Sequence, residues 1–257
     1  MPEGVEIKLQ LEKLKKLKNQ QIQSIKILSG RYTRHGEPQG FQEFKKSLPQ
    51  TIQSIHQKGK FIYFTLSNDW YILITLGMTG KIVIHKTKEK HDHIEFTTTK
   101  YTFYFNDLRN FGTIIFTQNK EILDKKLQKL GYDPLQNKTT FSQFEKQLNK
   151  FNQLKQIGEI LKDQKFFSGI GNYLRSDILF CAKIHPKKIL ENLTQQNKKL
   201  LHKCIYQTMQ NSYSKQKQKK HKFLVYKQKL SPLGNPISKF KDSSGRYIWF
   251  DEKVQSL

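Results

Sequence analysis

Near the start of the chain, Ile7, Leu11, Leu14 and Leu17 recur at close to helical spacing among lysines in "EIKLQLEKLKKLKN". This pattern predicts one amphipathic helix, with Glu3 and Glu6 in its first turn, where carboxylates suit the positive end of the helix dipole. From Gln21 to about Thr117 the pattern changes to short β-branched and aromatic runs: "QIQSIKIL", "SIHQKGKFIYFTL", "WYILITLGM", "KIVIHK", "HIEFTT", "YTFYF" and "GTIIFT". The breaks "SND", "TG", "TKEKHD" and "TTK" carry turn chemistry at hairpin distances, so an antiparallel sandwich or barrel is expected. Beyond "LGYDPLQNKTT" the strand pattern stops, and residues 141–213 read as several helices interrupted by "GIG" at 169–171. Short strands return around "SPLGNPISK" and "DSSGRYIWF", which predicts a terminal β-hairpin.

Charge narrows the class of partner. The 257 residues carry a formal net charge of +25, which points to a polyanion, either nucleic acid or an anionic membrane surface. No run approaches the roughly 20 apolar residues of a membrane span. The start lacks a basic segment followed by an apolar one, so no secretion signal is expected and an intracellular location is. The segment "SKQKQKKHK" at 214–222 reads as a solvated loop with a general attraction for phosphate. Cys181 and Cys204 are the only cysteines, too few for a disulfide scaffold or a four-cysteine zinc site. Arginine occurs only at Arg31, Arg34, Arg109, Arg175 and Arg246 in a chain that otherwise uses lysine. Those five are candidates for work that needs a planar, forked donor.

Removal of Met1 before proline would expose the secondary amine of Pro2, which can attack an aldehyde-like carbon and form an iminium. Glu3 beside it could protonate a leaving oxygen, and Glu6 could orient or assist. Lys60 follows a glycine turn at the start of a strand, a place for a groove-facing amine or for an ordinary exposed charge. Met78 in "LGMTGK" and the pair Arg109 and Phe111 in "NDLRNFGT" stand at loop tips. They are either core residues or the wedge, guanidinium and aromatic ring that fill the gap left by an extruded base. The glycine turn ending at Asn172 runs into a helix whose free N–H groups could grip a phosphate. Arg246 sits in the terminal hairpin, where a phosphate clamp is one reading. His91 and His93 form His-x-His on an expected strand with side chains on one face, but no third ligand lies nearby and no metal is expected.

Read in order, the Met-Pro-Glu opening, "GK" before a strand, "LGMTG", "HDHIEF", "DLRNFG" and "GIGNYLRSDILF" resemble the formamidopyrimidine-DNA glycosylase and endonuclease VIII (Fpg/Nei) family of base-excision repair enzymes. The resemblance spans nearly the whole chain. It implies an α+β fold: an N-terminal antiparallel β-sandwich flanked by helices over 1–130, a helical helix-two-turn-helix domain over 131–222, and a finger β-hairpin over 223–257. It assigns Pro2 as the Schiff-base nucleophile, Glu3 as the acid, Glu6 to the catalytic pocket and Lys60 to base loss and β-elimination. Met78, Arg109 and Phe111 correspond to the void-filling set, His91 and Asn172 to DNA-backbone contacts, and Arg246 to the finger arginine of phosphate binding and δ-elimination.

The departures are specific. Leu230, Leu233, Asp251 and Val254 stand where most members have zinc-binding cysteines, so the finger resembles that of a zincless Nei-like subgroup, in which packing alone supports the hairpin. Val5 and Leu108 replace prolines, and Asn110 replaces an arginine, a change that weakens a phosphate contact. The segment from Met209 to Val225 is short for the loop that covers oxidised guanine. The implied activity is therefore a bifunctional glycosylase and AP lyase that removes oxidised bases, with oxidised pyrimidines favoured. It would act without cofactor, as a monomer, on damaged duplex or single-stranded DNA. A non-catalytic damaged-DNA-binding protein on the same fold is the alternative. A basic RNA-associated protein accounts for the charge but not for Pro2, Glu3 and Lys60 together.

Overall fold

The computed structural model describes residues 2–255 and 257, which divide into two compact units. The first takes Pro2 and residues 6–128, and the second takes Glu3–Val5, residues 129–255 and Leu257.

The helix α1 (Gly4–Leu14), which lies in the first unit from Glu6 onward, runs into a 3-10 turn at Lys15–Leu17; of the expected stripe, Ile7, Leu14 and Leu17 are buried and Leu11 is half-buried. The helix begins at Gly4, so Glu3 lies outside its first turn, contrary to the expectation from sequence. Strands β1 (Gln21–Ile27), β2 (Gln50–Lys58), β3 (Phe61–Leu66), β4 (Tyr71–Thr75), β5 (Lys81–Ile84), β6 (Asp92–Thr98), β7 (Thr102–Asn106) and β8 (Thr113–Thr117) form an antiparallel array ordered β5-β7-β6-β1-β2-β3-β4-β8. β1 and β2 share only the register pairs Gln21↔Thr51 and Ile22↔Gln50, so the array bends there into two halves. Aromatic rings close the space between the halves: Phe64 of β3 stacks on Phe103 of β7 at 6.0 Å, and Phe96 of β6 meets Phe116 of β8 at 6.3 Å. Short helices α2 (Arg31–Arg34) and α3 (Phe41–Lys46) flank this sandwich, and α4 (Lys120–Gln128) follows it.

The second unit is built on α5 (Phe141–Leu148), α6 (Ile157–Ile160), α7 (Asn172–Ala182) and α8 (Gln195–Lys217), ending in a hairpin of β9 (Ser238–Lys241) and β10 (Tyr247–Phe250). Thr140 with Gln143 and Thr194 with Asn197 form capping boxes that fix the starts of α5 and α8. α7 is buried around most of its circumference, including Arg175, Ser176 and Asp177. Its Cys181 is disulfide-bonded to Cys204 of α8, a cross-link that the cysteine count did not reveal. α8 extends through Lys217, so four of the nine residues of the lysine-rich segment expected as loop are helix.

Packing alone does not hold the finger. The buried Asp251, at one of the cysteine-replacing positions, accepts hydrogen bonds from Asn235 Nδ2 at 3.1 Å and Lys253 N at 3.0 Å, while its own N–H donates to Gln255 Oε1 at 2.8 Å. A Ser231 side-chain bond joins the same carboxylate. The turns 231–235 and 251–255 are therefore tied through a carboxylate. Burial works to raise the Asp251 carboxyl, but the bonds from Ser231, Asn235, Lys253 and Val254 outweigh it and hold the group below the usual carboxylate range. A depressed folded value means that the stabilisation is present above about pH 4 and is lost as pH falls through the folded pKa. Asp251→Asn should destabilise the protein by roughly 1–3 kcal/mol near neutral pH by leaving buried donors unpaired, and should flatten part of the loss of thermal midpoint below about pH 4. Calorimetry across pH checks both, and EDTA should leave the wild-type midpoint unchanged.

Candidate active site

Glu3 is 2 % exposed and sits in the second unit at the start of α7. Its Oε2 accepts the backbone N–H of Gly171 at 2.7 Å and of Leu174 at 3.2 Å, and its Oε1 accepts that of Tyr173 at 3.0 Å. These are first-turn donors that a helix cannot satisfy from within, and Gly171 supplies no side-chain cap. The carboxylate takes the capping role from a distant part of the chain, and the helix dipole adds to its stabilisation as an anion. The glycines of "GIG" make room for it. A Cβ on Gly171 would fall 2.2 Å from Glu3 Cδ, and Gly4 N donates to Gly169 O at 2.8 Å.

This occupancy corrects the reading of Asn172. The N–H groups expected to grip a phosphate hold Glu3 instead, and the Asn172 side chain is turned to the hairpin, donating from Nδ2 to Tyr247 O at 2.9 Å. Its Oδ1 accepts from Arg175, a residue that sequence reasoning flagged only as a rare arginine. Arg175 is fully buried, ion-paired to Asp242 at 2.7 Å and donating to Gly158 O at 3.2 Å; burial lowers the guanidinium pKa, while Asp242 and Glu3 act to raise it. Arg246 is exposed at the hairpin tip. Asp177, also missed, accepts the N–H groups of Leu224, Val225 and Tyr226, and burial pushes its carboxyl up to about 6 despite those bonds. That anchors the segment after α8 beside Tyr173, whose ring lies 5.1 Å from that of Phe223.

In the first unit, Pro2 and Glu6 are half-buried at the start of the chain. Lys60 is half-buried in the two-residue turn that closes β2 onto β3 after the pair Lys58↔Phe61. Gly59 takes the left-handed φ of 58° that the turn needs. The side chain of Lys58 secures the base of this hairpin by donating to Leu127 O at 3.0 Å.

The loops carrying Met78 and Phe111 lie back to back: a Cβ on Gly77 would come within 2.8 Å of Phe111 C. The buried Asp107 binds them together, accepting from Thr79 Oγ1 at 2.5 Å, Arg109 N at 3.3 Å and Gly112 N at 2.7 Å. Phe111 is 53 % exposed and Leu108 58 %, and the Arg109 guanidinium stands 4.9 Å from the Phe111 ring centroid. The core alternative for Phe111 is thereby removed. Asn110, read as a lost phosphate contact, accepts the Arg31 N–H at 3.0 Å and fixes the turn beside it.

His91 precedes β6 with a left-handed φ of 72°, so the expected His-x-His strand face does not form. His93 is buried, with Nε2 donating to Asp107 O at 2.6 Å and Nδ1 2.9 Å from Ser29 Oγ. Both ring nitrogens serve the loop scaffold, and among the described residues no cluster of three metal-ligating side chains occurs.

Against known proteins, the "Formamidopyrimidine-DNA glycosylase N-terminal domain" family model matches residues 1–114, and the "Formamidopyrimidine-DNA glycosylase H2TH domain" model matches residues 130–223. The chain belongs to the formamidopyrimidine-DNA glycosylase family. Among members, the Bacillus licheniformis glycosylase is 35% identical over 68% of this chain and 65% of its own length, slightly under two-thirds. The Streptococcus agalactiae glycosylase is 33% identical over 80% of this chain and 74% of its own. The Lactococcus lactis Fpg bound to DNA containing an AP site superposes with a TM-score of 0.86 at 28% identity, covering 99% of this chain and 100% of that one. A second structure of the Lactococcus enzyme, also at TM-score 0.86 and 28% identity with full coverage of both chains, holds DNA containing an oxidised pyrimidine. Together the two family models end at residue 223, before the terminal hairpin and the turns that Asp251 ties together.

Because the Phe111 ring is largely in solvent, Phe111→Ala should leave the thermal midpoint within about 1 °C of wild type. Affinity for lesion-containing duplex should fall by about 1–3 kcal/mol if the ring fills the stack. Fluorescence anisotropy with lesion and intact duplexes in parallel measures the difference.

Proposed function

We infer that this protein is a base-excision DNA glycosylase and AP lyase that removes oxidised bases, oxidised pyrimidines foremost, through a Schiff base at Pro2. The observation that carries the reading is the seat of Glu3, a carboxylate fixed by three backbone donors one peptide bond from the proline.

With Met1 removed, Pro2 presents a free secondary amine, and it is a nucleophile only once its extra proton has left. Glu3, held beside the proline by its three donors, takes the amine proton and becomes the acid of the next step. The freed lone pair attacks C1′ of the flipped nucleotide, the glycosidic bond breaks with its electron pair leaving on the base, and the proton still on the Pro2 nitrogen passes to the departing base. Glu3 returns the proton to O4′ as the sugar ring opens and the iminium forms. Loss of a C2′ proton then expels the 3′ phosphate, a second elimination expels the 5′ phosphate, and water releases Pro2. Lys60 supports base loss and the first elimination, Glu6 lines the pocket, and Arg246 stabilises the departing phosphate. Met78, Arg109 and Phe111 occupy the space of the extruded base, while His91 lies along the DNA backbone.

The preference for pyrimidines is supported by α8 running to Lys217 and by Asp177 pinning residues 224–226, which leaves little chain for a lid over a larger purine lesion. Borohydride trapping on an oligonucleotide carrying 5-hydroxyuracil or thymine glycol tests the reading. Wild type should give a covalent adduct and Pro2→Thr, with its N-terminus verified, should not. No wild-type adduct on either lesion or on an abasic site would overturn the lyase and leave a DNA-binding protein.

A further inference from the structure

We propose that Asp242 is a positioning residue for Arg246, fixing the tip of the terminal hairpin to α7 so that the arginine meets the phosphate expelled in the second elimination; this rests on the role given to Arg246 above.

The tip is a short loop from Asp242 to Arg246, closed by Asp242 N donating to Arg246 O at 2.9 Å and by Gly245 N donating to Asp242 O at 2.9 Å, with Gly245 at a φ of 74°. The Asp242 carboxylate fills its interior. Oδ1 accepts Ser244 N at 2.9 Å, Ser244 Oγ at 2.7 Å and the backbone N–H of Arg246 at 2.9 Å. Oδ2 receives Lys162 Nζ and Arg175 NH1, each at 2.7 Å. One fully buried carboxylate thus grips the arginine's own backbone and two cations from the helical body. Further bonds hold the same hairpin: Ser243 N to Glu159 Oε1 at 3.2 Å, Asn172 Nδ2 to Tyr247 O at 2.9 Å and Trp249 N to Ser176 Oγ at 3.4 Å.

Stability alone does not call for this arrangement. Apolar side chains of similar volume usually stabilise a buried site as well as an ion cluster does, and here Arg175 Nε is buried without a partner. What the cluster supplies is a fixed direction. Three of the carboxylate's bonds define the loop, and the two ion pairs orient that loop against the helix whose first turn seats Glu3. Burial works to raise the Asp242 carboxyl, and Lys162, Ser244, Arg246 and Arg175 outweigh it and hold the group far below the usual range, so it is an anion throughout the working pH range.

The test compares wild type, Asp242→Asn, Arg246→Ala and the double variant on abasic-site DNA, resolving β- from δ-elimination products and scoring the trapped adduct in parallel. Asp242→Asn should keep the trapped adduct yet raise the β-to-δ product ratio about tenfold. The double variant should match Arg246→Ala, because a residue acting through the arginine adds nothing once it is gone. Lys162→Met, which removes one of the two cations, should shift the ratio the same way by a smaller factor and covers the case in which Asp242→Asn does not fold. A wild-type ratio in Asp242→Asn, a wild-type ratio in Lys162→Met, or additive effects in the double variant would overturn the proposal. A wild-type ratio in Arg246→Ala would instead sink the role of the arginine itself.

Discussion

The second unit depends on one interaction, the Glu3 carboxylate on the first turn of α7. A buried anion without donors is costly, and a buried helix start without an acceptor is nearly so. Each cancels the other's penalty here. Glycine at 171 follows from the contact, since a Cβ would overlap the carboxylate, and the Gly4 to Gly169 bond follows from the approach of the two backbones. α7 then distributes the constraint: Arg175 reaches the hairpin through Asp242, Asp177 reaches residues 224–226, and Cys181 is bonded to α8.

The first unit solves a comparable problem with a different acid. Asp107 draws the loops of Met78 and Phe111 together from below, so that Phe111 and Leu108 remain in solvent on a rigid support. Acidic residues are outnumbered by basic ones in this chain, 21 to 46. Glu3, Asp107, Asp242 and Asp251 are buried as anchors, which takes four negative charges off the surface and strengthens the positive field toward a polyanion.

Much of the architecture was legible from local pattern. Three of the four stripe positions Ile7, Leu11, Leu14 and Leu17, the alternating strands and the terminal hairpin are each set by neighbours within a few residues, and the structure contains them. What was not legible depends on partners far apart in sequence. Glu3 looks like a first-turn acid of its own helix because nothing local says that a helix start 168 residues away lacks a cap. Asn172 looks like a phosphate grip for the same reason. The scarcity of arginine correctly marked Arg175 as a forked donor, but its use is internal. Phe111 is an aromatic that sequence could assign equally to core or surface, and only the Asp107 scaffold decides. Asp251 reads as a missing cysteine until its bonds to the neighbouring turn are seen.

The seat of Glu3 can be tested without a substrate by amide hydrogen exchange on wild type and Glu3→Gln. The account predicts that exchange at Gly171, Tyr173 and Leu174 quickens by about an order of magnitude or more, while the remainder of α7 keeps its protection. Unchanged protection of those three amides in Glu3→Gln would contradict it, because some other acceptor would then be capping the helix.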